Sequence, residues 1–442
     1  MNRIERGDPV FEELRPPLGR DAAILEADRC LECGSPHAPA PCLVACPAGV
    51  DVPSFVASIA AGNPATAADT ILAENLLGAT CARVCPAEVL CEGACVLTEN
   101  GRPAIAIAAL QRYATDAALE EDGELRLRRR LRRNGRRVAV IGAGPAGLVC
   151  AGELATLGYA VTVFDEREEV GGLVRYAIAP YRQVREPLPQ EAHALSKLGV
   201  RFRLGRRIEQ RELEILAAQV DAVFLGVGMG PDADVSYPGD DLPGVWESLP
   251  FIEALKTGAP PEVGSHVVVI GGGNTAIDVA REAVRLGAVD VTLVYRRSEA
   301  ELPAYAHEVA EAREEGVRFR FLAAPVRFVG RSRLEAVECR MMRLGEPDDS
   351  GRRRPKPVPG SEFTMLADTA VKAIGQRARS ELADWVPRLE LQHGAVKIDP
   401  RTGRTGNSKF FAGGDAINGG ASVVEAVGDG KRAAKAIDEW LR

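Results

Sequence analysis

The sequence predicts an α/β protein in which two Rossmann-like dinucleotide-binding domains follow a small all-α domain, and three observations carry that expectation. Residues 137–166, RVAVIGAGPAGLVCAGELATLGYAVTVFDE, and residues 266–297, HVVVIGGGNTAIDVAREAVRLGAVDVTLVYRR, each read as strand, glycine turn, helix and second strand. Eight of the ten cysteines lie in the first hundred residues, among Ala- and Leu-rich segments. Near the C-terminus, Phe410–Asp415 (FFAGGD) again runs a strand into a glycine turn.

The head spans 1–135. Its cysteines form two groups, Cys30, Cys33, Cys42 and Cys46, then Cys81, Cys85, Cys91 and Cys95. Each group is tight enough to bring several thiolates to one metal centre. In a reducing cytosol such clustering points to metal rather than to disulfides. Prolines follow Cys46 and Cys85, as in ferredoxin-like runs, and the spacings are not the paired Cys-x-x-Cys of a zinc ribbon. Iron–sulfur is therefore favoured, with structural zinc as the alternative. Ser54–Ala61 and Ala65–Leu77 read as helices, and the basic run Arg126–Arg137 as a solvated linker helix.

In the first nucleotide unit the strand Val138–Ile141 leads into Gly142, Gly144 and Gly147, with Pro145 and Ala146 opening the helix. The first glycine makes the tight turn, the second admits a pyrophosphate, and the third lets the helix pack on the strand. The helix N-terminus then faces the phosphates. The second strand, Ala160–Phe164, ends in Asp165 and Glu166, where a carboxylate can take hydrogen bonds from a ribose. Beyond it, Gly171, Gly172 and Leu173 offer backbone that approaches a ligand. A helix over Glu191–Leu198, a strand over Val200–Leu204 and a buried strand from Asp221 to Gly226 follow.

The second unit turns at Gly271, Gly273, Asn274 and Thr275, with Ala276 in the third glycine's place. Its second strand ends in Arg296 and Arg297 instead of an acid. Arginine suits a 2′-phosphate, so NADP is favoured over NAD. Strands around Glu338–Arg340 and a polar hairpin near Asp348–Pro359 complete the domain; Cys150 and Cys339 read as core residues. In the last segment Gly414 and Asp415 form an acidic tip, and Ser422 and Val423 open a C-terminal helix aimed at a ring or phosphate.

The 442 residues, 46% hydrophobic, suffice for several cores. A net charge of −7 argues against nucleic acid as partner. No apolar run approaches the ~18 residues of a membrane span, and the charged N-terminus is unlike a signal peptide, so a cytoplasmic location is expected.

The order and distances of the cysteine head, GAGPAG, GGGNTA and FAGGD together resemble the family of the glutamate synthase small subunit and the N-terminal half of dihydropyrimidine dehydrogenase, over nearly the whole chain. The resemblance implies FAD at the first unit, NADP or NAD at the second, inserted within the FAD domain, and two [4Fe–4S] clusters in the head. It implies Cys30, Cys33, Cys42 and Cys95 as ligands of one cluster, and Cys46, Cys85, Cys91 and Gln111 as ligands of the other, with no ligand role for Cys81. Gln111 and the context of Cys81 lie closer to the pyrimidine branch. The loop Gly345–Gly360 and the segment Ala177–Val184 (AIAPYRQV) depart from the family pattern. Expected boundaries are 1–135 for the head, 136–258 and 374–442 for the FAD domain, and 259–373 for the NAD(P) domain.

The function implied is an electron-transfer subunit: reduced nicotinamide gives a hydride to FAD, and single electrons leave through the clusters. The cofactors carry the chemistry, so no catalytic acid or base is expected. With the chain ending at Arg442, the acceptor is expected on a separate subunit. An FMN-containing pyrimidine-reducing subunit is favoured, with the glutamate synthase large subunit as alternative. A thioredoxin-reductase-like enzyme with a structural metal head needs a redox Cys-x-x-Cys, and residues 266–363 hold only Cys339. A non-catalytic scaffold is disfavoured by the two intact glycine turns.

Overall fold

The computed structural model describes residues 13, 15–35, 38–128, 130–183, 187–348 and 351–442, with Asp122 described by its backbone alone. The chain divides into two compact units, a larger one of Glu13–Arg175, Arg185–Met229 and Ala378–Arg442, and a smaller one that includes Tyr176–Val184 and Gly230–Arg377.

The larger unit begins with the helical head. Its helices are Arg20–Ala27, Pro41–Val44, Val52–Ala60, Pro64–Glu74, Gly78–Val84 and Ile107–Asp122. The two helices expected from composition start slightly early because the residues before them are good caps. The Asp51 and Asn63 side chains accept from the backbone N–H of Ser54 and Thr66, both at 3.2 Å, and a proline occupies the first turn of each helix. The second stops short of Leu77, where the Asn75 side chain accepts from the Leu77 N–H at 3.0 Å. Phe55, Val56, Ile59, Ile71 and Leu72 are buried between them.

The basic run is not the helix expected of it. The last head helix ends at Gly123, whose φ of +70° suits glycine, and the described residues from there to Arg137 form no helix. A helix would stack arginines three and four apart. Spread out, they find separate partners: Arg128 pairs with Glu74 at 2.8 Å, Arg136 pairs with Asp221 at 3.1 Å, and Arg130 donates to the Tyr159 carbonyl at 3.0 Å. Arg129 lies outside the described residues.

Behind the head lies an all-parallel sheet in the order Phe410–Ala412, Ala222–Leu225, Arg137–Ile141, Ala160–Phe164, Arg201–Arg203. The helix predicted near Glu191 runs from Leu188 to Lys197. The helix Pro145–Thr156 packs against the C-terminal helix Val423–Leu441, where a Cβ on Gly430 would overlap the Ala146 carbonyl oxygen.

The smaller unit holds a second parallel sheet, ordered Val245–Glu247, Thr369–Ala373, His266–Gly271, Asp290–Tyr295, Arg318–Phe321. An antiparallel sheet of Ala323–Gly330, Leu334–Pro347 and Arg353–Leu366 packs beside it, with Cys339 fully buried between them. The expected boundary at 258/259 is therefore corrected. Residues 230–258 join the second sheet because Val245–Glu247 pairs with Thr369–Ala373, and the unit ends at Arg377 rather than 373. Part of the divergent segment after Tyr176 also belongs here: Tyr181 donates to Asp278 at 2.7 Å, and Arg182 is paired with Asp278 and Glu308. Val184 lies outside the described residues.

Candidate functional site

The first glycine turn distributes its roles as the spacing predicts. Gly142 has a φ of +103°, and a Cβ there would overlap the Gly226 carbonyl oxygen. A Cβ on Gly147 would overlap the Gly142 carbonyl oxygen, so the helix can lie this close to the strand only without a side chain. At Gly144 nothing stands within 4 Å of the corresponding position, which is the open cradle a pyrophosphate needs. Pro145 is the first helical residue and Ala146 is buried behind it.

Two other segments converge on this turn. The Gly171 N–H donates to the Ala143 carbonyl at 2.7 Å, and a Cβ on Gly172 would stand 3.1 Å from the Gly144 Cα. Leu173, 39% exposed, follows at the start of a short helix. From the C-terminal segment, Gly414 lies against Ala146, its N–H donating to Asp429 at 2.9 Å. The residues present thus fit a flavin dinucleotide. Asp415 accepts from the Ala421 N–H at 3.1 Å, and burial raises its carboxyl above the usual range. Ser422 caps the last helix in a reciprocal arrangement with Glu425, and Val423 is that helix's first residue.

Asp165 and Glu166 divide their work. The Asp165 carboxylate accepts from the N–H groups of Ala143 at 2.6 Å and Arg167 at 2.8 Å, bracing the glycine turn. Burial raises its carboxyl, and those two bonds oppose the rise. Glu166 is the solvent-facing acid, paired with Arg379 at 2.7 Å.

In the second turn, a Cβ on Gly271 would overlap the Ala373 carbonyl oxygen, while Gly273 is open like Gly144. Thr275 is exposed beside it, and Asn274 accepts from the Tyr305 N–H at 3.0 Å, anchoring the following loop. The arginine pair does not act as a pair. Arg296 is exposed, whereas the Arg297 side chain is 6% exposed, forms a 2.6 Å ion pair with Asp348 and donates to the Arg353 carbonyl at 2.9 Å. Arg297 is thus corrected from a candidate 2′-phosphate ligand to a structural residue.

The head places its cysteines in two neighbourhoods. Cys30, Cys33, Cys42 and Cys95 line one pocket, partly open to solvent, with Val52, Val56 and Ile105 among its apolar walls. Burial pushes the Cys42 thiol up to about 11 and raises Cys30, and a bound cationic centre would favour their ionised forms. In the second set, the Cys85 thiol is hydrogen-bonded to Cys81, which with burial holds it well above the usual range, and the charges of Cys91 and Cys46 act on it too. Burial pushes Cys91 up to about 12. Among the described residues no three His, Cys, Asp or Glu side chains are drawn in around a single ion. Four thiols ringing a cavity fit a polynuclear cluster better than zinc. Gln111 is buried, and its Nε2 donates to the Gly78 carbonyl at 2.7 Å, in the first turn of the helix that carries Cys81.

Two residues that the sequence reading missed join the head to the flavin fold. Glu191, fully buried, accepts from the N–H groups of Ala79 and Thr80, both at 3.0 Å, and from the Thr80 hydroxyl at 2.5 Å. Lys431 donates to the carbonyls of Ala48 and Glu74, both at 2.6 Å, and pairs with the Glu74 carboxylate at 2.9 Å. Glu191 left a signal: with Leu188 and Leu195 it occupies the apolar stripe of an amphipathic helix.

Burial pushes the Glu191 carboxyl up to about 7 from an ordinary value of 4.5, against the bonds from Thr80 and Ala79. The folded state then holds this proton more tightly than the unfolded chain. Its stabilising effect is complete below pH 4.5 and is lost as pH rises through 7. We expect wild type to lose roughly 3 kcal/mol of unfolding free energy from this group across that window. Glu191→Gln keeps an acceptor for both N–H groups and should flatten the slope. Equal slopes in denaturant titrations of both proteins would remove Glu191 as their cause.

Comparison with known proteins agrees with this geometry. A family model described as dihydropyrimidine dehydrogenase domain II, 4Fe-4S cluster, matches residues 7–123, and one described as pyridine nucleotide-disulphide oxidoreductase matches residues 136–430. The glutamate synthase [NADPH] small chain of Halomonas elongata is 38% identical over 98% of this chain and 93% of its own length. The putative oxidoreductase AegA of Escherichia coli K12 is 38% identical over 99% of this chain and 68% of its own. The NADP(+)-dependent formate dehydrogenase subunit beta of Moorella thermoacetica is 38% identical over 92% of this chain and 60% of its own. Among solved structures, Mycobacterium tuberculosis FprA in complex with NADPH has a TM-score of 0.57 at 21% identity, covering 69% of this chain and 85% of that one, which speaks for the fold. Among the described residues no helix is long and apolar enough to cross a membrane. The 4Fe-4S match removes zinc as the alternative for the head. The chain belongs to the pyridine nucleotide-disulphide oxidoreductase family, in the iron–sulfur branch that includes the glutamate synthase small chains, and is an NAD(P)H-dependent FAD and iron–sulfur oxidoreductase.

Proposed function

We propose that this chain oxidises NADPH and delivers the electrons singly to a separate acceptor subunit. The observation that carries the proposal is the seat of the head on the C-terminal helix. That helix begins at Ser422 and Val423, beside the Gly414 turn. Five residues on, about 8 Å along its axis, a Cβ on Gly428 would stand 2.7 Å from the carbonyl oxygen of Pro47, the neighbour of Cys46. Lys431, on the same helix, is bonded to the Ala48 carbonyl, and Glu191 to the N–H groups of Ala79 and Thr80, so the helix and the flavin fold hold the head at several points.

In this reading Gly142, Gly144, Gly147, Gly172 and Gly414 cradle FAD, with Glu166 toward the ribose, and Gly271, Gly273 and Thr275 receive the nicotinamide nucleotide. Cys30, Cys33, Cys42 and Cys95 hold one [4Fe–4S] cluster, and Cys46, Cys85, Cys91 and Gln111 hold the other. When bound, these cofactors supply the conversion of a two-electron hydride donor into one-electron carriers. The protein's own residues position them and exclude water.

Two acceptors are supported by different observations. The relatives named glutamate synthase small chain, one of them matched over 93% of its own length, support a large subunit that makes glutamate from glutamine and 2-oxoglutarate. Gln111 and the head's match to a dihydropyrimidine dehydrogenase domain support an FMN-containing subunit that reduces uracil or thymine. Co-purification from the native host, followed by NADPH oxidation with uracil or with 2-oxoglutarate plus glutamine, separates them. Turnover of one set alone assigns the acceptor. Failure of NADPH to bleach the visible flavin band of the anaerobic protein would overturn the shared proposal.

A further inference from the structure

The Gly414 turn is fastened to the C-terminal helix by a carboxylate. Gly414 has a φ of +70° and a ψ of −156°, a backbone conformation that residues with side chains rarely adopt. Its N–H donates to Asp429 at 2.9 Å. Asp429 sits about two turns into the helix that Val423 opens. A Cβ on Gly413 would stand 2.9 Å from the Asp429 Cβ, so the turn lies directly against this part of the helix. The next residue, Gly430, lies against the Ala146 carbonyl, and Ala146 lies against Gly414. Asp429 is therefore one hydrogen bond away from the backbone that cradles the flavin.

A carboxylate is a costly choice for this place. Asp429 is 8% exposed, and a buried charge needs partners. One oxygen takes the Gly414 N–H, and the other is paired with Arg432, one helical turn on. An asparagine would accept the same N–H without burying a charge, and a buried ion pair is a weak source of stability. The charge also reaches the acidic tip: burial raises the Asp415 carboxyl, and the charges of Asp429 and Glu425 add to the rise.

We infer that Asp429 is a positioning residue for the flavin, fixing the Gly414 turn, and that its ion pair with Arg432 sets the reduction potential of the flavin held there. The inference rests on the reading that the Gly144 and Gly414 turns together hold FAD. Reduction adds electron density to a flavin, so a fixed negative charge beside its cradle opposes reduction and a paired arginine limits that opposition.

The test is an anaerobic potentiometric titration of the flavin in the cluster-loaded protein. Asp429→Asn keeps an acceptor for the Gly414 N–H and removes the charge. It is expected to retain flavin and to favour the reduced form about tenfold, a rise of about 30 mV for a two-electron couple. Arg432→Gln leaves the carboxylate without its counter-charge and is expected to shift the potential the opposite way. Asp429→Ala, which removes the acceptor as well, should bind FAD about tenfold more weakly than Asp429→Asn. An unchanged potential in Asp429→Asn, or shifts of the same sign in Asp429→Asn and Arg432→Gln, overturns the electrostatic role, and wild-type flavin affinity in Asp429→Ala overturns the positioning role; both leave the FAD reading intact. Should Asp429→Asn fail to fold, Arg432→Gln decides alone: a lowered potential supports the inference, and an unchanged or raised one overturns it. Wild type that holds no flavin and takes up none on adding FAD would overturn the FAD reading, and this inference with it.

Discussion

Gly147→Ala is expected to yield protein that fails to fold its flavin unit, while Gly144→Ala, three residues earlier, is expected to fold and bind no flavin. The contrast follows from where each Cβ would go. At Gly147 it overlaps the Gly142 carbonyl oxygen, just past the end of the central strand, and comes within 3.2 Å of the Val140 side chain inside that strand. Neither neighbour can retreat: Gly142 is itself confined by Gly226, and Val140 is fully buried. Overpacking of this kind costs roughly 3 kcal/mol or more. Gly144 has a φ of −73° and a ψ of 177°, which alanine adopts freely, and nothing stands within 4 Å of its missing side chain. Its substitution should leave stability within about 0.5 kcal/mol. The methyl group would instead fill the space left for the pyrophosphate. Thermal denaturation with flavin quantification reads both effects. Full flavin occupancy in Gly144→Ala would show that the cofactor does not approach this turn.

Those glycine roles were legible in the sequence because they are local: strand, turn and helix lie within a dozen residues, and each glycine answers to the geometry of its own turn. Spacing alone gave the cysteine groups 30–46 and 81–95, whereas the fold puts Cys95 with Cys30, Cys33 and Cys42, a long-range neighbourhood that spacing does not carry. Long-range pairing hid the rest. Val245–Glu247 finds its strand partner at Thr369–Ala373, which moved a domain boundary that local composition placed at 258. Arg297 looked like a phosphate ligand because Asp348, its actual partner, sits in a hairpin that the strand-helix-strand pattern does not include. The run Arg126–Arg137 carries arginine, which favours helix on propensity, yet its charges are separated by partners in the head and in the sheet domain.

The largest effect on the cofactors is expected from Cys85→Ser, which should remove one cluster's iron and leave the other, as should Cys91→Ser. The Cys81 hydrogen bond and burial raise the Cys85 thiol, burial raises Cys91, and a bound cationic centre would favour the thiolate of each. Serine's hydroxyl is a poor substitute, being harder and far less acidic than a thiol. Cys81 poses the sharper question, because it is buried and hydrogen-bonded to Cys85, which makes it the rival of Gln111 for the fourth position. The glutamine amide has committed its nitrogen to the Gly78 carbonyl, which leaves the oxygen, the end able to ligate iron, as its remaining polar atom. We therefore expect Cys81→Ser to retain all the iron and Gln111→Leu to alter the electron paramagnetic resonance signal of one cluster alone. Iron and sulfide analysis of anaerobically purified variants, with spectra of the reduced proteins, distinguishes the two. Iron loss from Cys81→Ser together with an unaltered Gln111→Leu spectrum would make the thiol the fourth ligand.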